Sequence, residues 1–70
     1  MTERTADLPD GITKHAVRVK LINNSRAKTI INKLSPGFYD ENVPKYYNIM
    51  RFLENVRRDN RWLELWNEMS

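Results

Sequence analysis

His15, the one imidazole in this 70-residue chain, and Asp40-Glu41, its one adjacent acid pair, are the residues best suited to acid–base or metal chemistry. Neither has the partners that chemistry needs. A catalytic histidine needs a nucleophile and an orienting group within hydrogen-bond reach. The neighbours of His15 are Lys14 and Ala16, and no paired acid stands at a helical or strand offset. With no cysteine and a single histidine, a zinc site lacks ligands. Two carboxylates without a ligand loop are a weak cation site, and Asp40-Glu41 reads more simply as favourable charge ahead of a helix N-terminus. Both glycines stand alone, so no phosphate-cradling loop exists. The expectation is a non-enzyme with no metal and no cofactor.

The remaining chemistry is electrostatic. The net charge is +3, but it is unevenly spread. Residues 11–39 carry Lys14, Arg18, Lys20, Arg26, Lys28 and Lys33 with no acid, while residues 1–10 and 40–70 are each net negative. Lysine and arginine neutralise phosphates and release condensed counterions, which gives affinity without sequence preference. A run of like charge is also an ordinary solvated face. The absence of acids across the whole segment favours an anionic partner. Duplex DNA is the leading candidate, contacted through residues 14–33, with Lys14, Lys20, Arg26 and Lys28 on phosphates and Arg18 at bases. All seven aromatic residues lie between Phe38 and Trp66, outside the contact segment of residues 14–33. Single-strand binders interleave the two types so that bases can stack, so the separation here favours a duplex.

The aromatic half has a reading of its own. Tyr46, Ile49, Met50 and Leu53 share a helical stripe, as do Trp62, Leu65, Trp66 and Met69. Such stripes are usually core. Tyr47 and Phe52 fall off the first stripe, and two tryptophans are large for so small a core. Tryptophan and tyrosine are enriched where proteins dock. Tyr47, Phe52, Trp62 and Trp66 are therefore the candidates for a protein interface, either a homodimer seam or the docking face of an inhibitor or adaptor.

These residues must be positioned by short elements. Pro9-Asp10-Gly11 is a turn signal, and order is expected from about Ile12, after a flexible arm over residues 1–11. Residues 12–70 form one small domain. Residues 16–22, AVRVKLI, support two periods. Alternation of Val17, Val19 and Leu21 with Arg18 and Lys20 predicts a strand. The spacing of Val17 and Leu21, with Thr13 as a cap, predicts a helix; the strand is the slightly favoured reading. Ser25 is the expected cap of a helix over 26–34, whose stripe is Ala27, Ile30, Ile31 and Leu34. Ser35-Pro36-Gly37 ends it. Pro44 opens a helical region that runs to Met69, either as one long helix over 44–68 or, the favoured reading at that length, broken at Asp59-Asn60 with one of these capping the second part. The fold class is mostly α, with two to three helices, preceded on the strand reading by a β-strand over 16–22 that pairs in a dimer.

On that reading the order strand, helix, helix resembles the ribbon-helix-helix repressors, in which two chains pair their strands and lay the ribbon in the major groove. The resemblance covers residues 16–57 in outline. It implies that Arg18 and Lys20 face outward to read bases, as arginine and lysine do at guanine. The loop over 35–43 is longer than the tight turn of that family. If residues 13–22 are helical instead, GITKHAVRVKL looks like the second helix of a helix-turn-helix, without a first helix before it.

Length and composition set the frame. A chain this short buries only about 60% of its unfolded surface. Without disulfides or zinc, self-association is the remaining route to added stability, so a homodimer is an open expectation. The absence of cysteine fits the reducing cytoplasm. The first ten residues, MTERTADLPD, lack an apolar leader, and no apolar run approaches the roughly 18 residues of a membrane span. The expectation is a cytoplasmic protein without a membrane partner.

Overall fold

The computed structural model describes residues 8–70, and within them the protein is all-helical. Four helices follow one another: α1 (Lys14–Ile22), α2 (Ala27–Leu34), α3 (Lys45–Asp59) and α4 (Trp62–Met69). Residues 1–7 of the expected arm lie outside the described residues. Leu8 packs half-buried against the core. Gly11, at φ +85°, completes the expected turn, and Ile12 N–H donates to the Pro9 carbonyl at 3.0 Å.

The strand expected over 16–22 is a helix, and no strand exists among the described residues. A strand would leave its backbone groups unpaired without a second strand to meet it. The helix satisfies them internally and begins on a good cap: Thr13 is extended, and its Oγ1 accepts from Ala16 N–H at 3.0 Å. Val17 and Leu21, one turn apart, become fully buried.

α2 starts without the expected cap. Ser25 is exposed, and Arg26 precedes the helix with no side-chain capping bond. Asn24 shapes this turn instead, its Oδ1 accepting from Arg26 N–H at 2.8 Å. Ala27, Ile30 and Ile31 are buried as the stripe predicts, and Leu34 is half-buried.

The loop between α2 and α3 is organised by one buried amide. Asn48 is fully buried. Its Oδ1 accepts from Asp40 N–H, and its Nδ2 donates to the Asp40 carbonyl, both at 2.8 Å. The Val43 and Pro44 carbonyls accept from the same Nδ2 at 3.3 Å. A buried polar group so fully satisfied fixes the loop against the helix. Phe38 then meets Phe52 edge-on, with ring centroids 5.6 Å apart.

The break between α3 and α4 falls where the two stripes predict it, but its chemistry differs. Neither Asp59 nor Asn60 caps α4. Asn60 ends α3 in the left-handed conformation at φ 53°, and Arg61 N–H reaches back to the Val56 carbonyl at 2.9 Å. This is a Schellman-type ending, with asparagine in the place glycine usually takes. The two-to-three-helix expectation thus becomes four helices. α1 and α2 each pack on both α3 and α4, around a core that includes Val17, Leu21, Ile30, Ile31, Ile49, Phe52 and Trp62.

Candidate nucleic-acid interface

α1 presents three kinds of surface. Val17 and Leu21 point into the core. Lys14 and Arg18, one turn apart, lie along one edge of that buried face, and Lys20 lies along the other. His15, Ala16 and Val19 are exposed on the outer side, Val19 to 41%. The outer face of α1 therefore holds no lysine or arginine, and those cations run along its margins.

The fold joins what the sequence keeps apart. Lys14 Nζ lies 5.8 Å and the Arg18 guanidinium 4.9 Å from the Trp62 ring centroid. Lys20 Nζ lies 5.1 Å from the Trp66 ring. Each such contact contributes about 0.5–2 kcal/mol, depending on how far water is excluded. The basic and aromatic halves of the chain thus form one seam between α1 and α4.

Two interface candidates are core residues instead. Phe52 has no exposed surface and Trp62 only 1%. The buried stripe of α3 is Ile49, Phe52, Leu53 and Val56, rotated from the expected one. Tyr46, expected in the core, is exposed. Trp66 is half-buried, and Tyr47 stands 58% exposed.

The cations differ in company. Lys28 is exposed at the start of α2, ion-paired with Glu41 and 5.6 Å from the Tyr39 ring. The hydrogen bond and charge of Glu41 hold its ammonium above the ordinary lysine range. Lys33 pairs with Glu68 at 3.0 Å. Among the described residues, no carboxylate lies within ion-pair distance of Lys14, Arg18, Lys20 or Arg26. Lys45, not singled out by sequence, joins them, with its Nζ 3.5 Å from the Asn24 carbonyl in the α1–α2 turn that also carries Arg26. No sequence signal places residue 45 beside residue 24; only the packing of α3 does.

Arg61 is a second residue that sequence reasoning did not assign. It is half-buried. Its guanidinium donates to the Leu34 carbonyl at 2.7 Å, Ser35 Oγ at 2.8 Å, Asn55 Oδ1 at 3.3 Å and Glu64 Oε1 at 2.7 Å. It ties the end of α2 to α3 and α4. No group of three potential metal ligands exists among the described residues. No helix among them is long and apolar enough to cross a membrane. The chain matches no family model, and no curated protein or solved structure shows significant similarity to it.

Proposed function

We propose that the chain is a small, non-enzymatic, DNA-binding regulatory protein that engages duplex DNA through α1 and the α1–α2 turn. The observation that supports this reading is the set of cations that have no acid partner among the described residues: Lys14, Arg18, Lys20, Arg26 and Lys45. Cations already neutralised by carboxylates release fewer counterions when a phosphate arrives. The reading favours a duplex because Trp62 is closed off and Trp66 lies under Lys20, so neither ring offers an open face for a base. Lys14, Lys20, Arg26 and Lys45 serve as phosphate contacts. Arg18, laid on Trp62, gives up the base-reading role and supports the edge from behind. Lys28 contributes less, because Glu41 competes for it. The alternative, an inhibitor or adaptor docking through its aromatic end, loses two of its anchors with Phe52 and Trp62.

The test is anisotropy of a labelled random duplex at low and moderate salt. Four cations at the phosphates give a log–log slope of roughly −3.6. Replacing Lys14, Lys20 and Arg26 together by alanine lowers the magnitude of that slope by about 3. Absence of binding at low salt, or a slope untouched by the triple substitution, overturns the reading.

A further inference from the structure

The α1 seam is not the only place where cations lack acids. An open groove of about 290 Å³ runs along the flank of α3 that faces the α2–α3 loop, lined by Phe38, Arg51, Glu54, Asn55 and Arg58. It shares no residue with the α1 patch. Phe38, set edge-on against buried Phe52, forms its apolar part. The Arg51 guanidinium lies 4.7 Å from the Phe38 ring centroid, and among the described residues it has no carboxylate partner. A guanidinium held on a ring keeps its N–H edge pointing outward and loses little rotamer entropy when a carboxylate takes it bidentately. Among the described residues Arg58 has only its neighbour Asp59, at 3.7 Å and exposed.

The one acid in the groove is already spent. Glu54 accepts from Arg57 Nε at 3.3 Å through one oxygen and from the Arg57 terminal nitrogen through the other. Arg51 and Arg58 are left as net positive charge. Asn55 has its Oδ1 taken by Arg61, while its Nδ2 meets no acceptor among the described residues and remains a donor on the groove wall.

We propose that this groove is a docking site for an acidic, extended peptide segment of a partner protein. Its two carboxylates pair with Arg51 and Arg58, an apolar side chain between them rests on Phe38, and a backbone carbonyl accepts from Asn55. The spacing follows from helix geometry. Arg51 and Arg58 are seven residues apart, which is about 10.5 Å along the axis. On an extended segment in the polyproline II conformation, side chains three residues apart share a face and are about 9 Å apart. The segment therefore carries acids at positions i and i+3 with an apolar residue between. Charge complementarity selects an acidic segment over the same groove of a second copy, which would set arginines against arginines.

The probe is a fluorescein-labelled peptide with two glutamates three residues apart and leucine between them, against the same peptide with both glutamates replaced by glutamine. Anisotropy and ¹H–¹⁵N shift mapping are read on the full chain. The acidic peptide binds with shifts at Phe38, Arg51, Asn55 and Arg58, and the glutamine peptide binds about tenfold more weakly. Arg51→Gln and Arg58→Gln each weaken binding severalfold with the fold retained by circular dichroism, while Lys14→Ala with Lys20→Ala leaves binding intact. Equal affinity for both peptides overturns the proposal. So does no binding up to about 1 mM, equal loss with the α1 substitutions, or groove shifts produced by duplex DNA instead of the peptide. None of these outcomes depends on whether α1 binds DNA.

Discussion

α1 and α2 are two short helices of the same charge sign in opposite surroundings. Neither contains an acid, and each places a lysine in its last turn, Lys20 and Lys33. In α2 the cations meet carboxylates from elsewhere in the chain, Lys28 with Glu41 and Lys33 with Glu68. In α1 they meet tryptophan rings. An acid-free stretch of sequence is thus not an acid-free surface. Among the described residues, folding supplies acids to one half of the basic segment and not to the other. A ring holds a cation in place without cancelling its charge, so α1 keeps a field that α2 largely loses.

The largest test of this contrast removes the rings. Trp62→Ala deletes a side chain that is 1% exposed and should cost about 3–5 kcal/mol. For a domain of this size that approaches the total stability, so the thermal melt followed by circular dichroism should shift by tens of degrees or vanish. Trp66→Ala, at a half-buried site, should remain folded with a loss of about 1–2 kcal/mol. Equal costs at the two positions would break the distinction between a core ring and a ring that mainly carries a lysine.

Next in size is a comparison of two half-buried arginines. Arg61→Ala strips donors from the Leu34 carbonyl, Ser35, Asn55 and Glu64. Leaving those acceptors unsatisfied should cost about 2 kcal/mol in urea unfolding. Arg18→Ala removes a stacked guanidinium but leaves no buried acceptor behind, and should cost less than about 1 kcal/mol. If Arg18 proves the more costly, the α1 cations are structural before they are functional.

Much of this arrangement can be traced back to the sequence, and its gaps have physical causes. The α2 stripe, the turn at Gly11 and the break near Asn60 depend on local spacing and on residues of special backbone preference, and all three are readable. The α1 segment is not, because Val17 and Leu21 fall on one face at either period; the helix is seen to go with the Thr13 cap and the burial of both side chains. Ile49, Phe52, Leu53 and Val56 form as good a stripe as the one expected through Tyr46, and the choice between them is made by what packs on α3. The ion pairs and ring contacts join residues far apart in the chain, so charge counting along the sequence finds the cations but not their partners. Among the proposed phosphate contacts, Lys14, Lys20 and Arg26 come from sequence, while Lys45 requires the fold.

A smaller effect tests the contrast at single lysines. Lys20→Ala should reduce the magnitude of the salt slope of duplex binding by about 1, the share of one phosphate contact. Lys33→Ala should leave it unchanged, since that ammonium is committed to Glu68. Both folds should persist, because each lysine is exposed. Equal slopes in the two variants would mean that the pairing of α2 does not survive in solution.

The smallest effect belongs to an acid that already has its cation. The Arg57 hydrogen bond, more than its charge, holds the Glu54 carboxyl below its ordinary value of 4.5, with Arg58 and Arg18 adding weaker attraction. Because the folded value is depressed, whatever stability the pair lends is present above about 4.5, the ordinary value and so that of the unfolded chain, and is lost as pH falls through the folded value. The pair is fully exposed, so water screens it and the melt should barely respond. The titration itself is the sensitive readout. A side-chain carbon NMR titration should place the Glu54 midpoint below 4.5, Arg57→Gln should return it most of the way, and Arg18→Gln should move it far less. A midpoint indifferent to Arg57 would mean that Glu54 is free to turn toward Arg51 or Arg58. The α3 groove would then carry its own acid, and the difference between cations with partners and cations without would disappear from that face of the molecule.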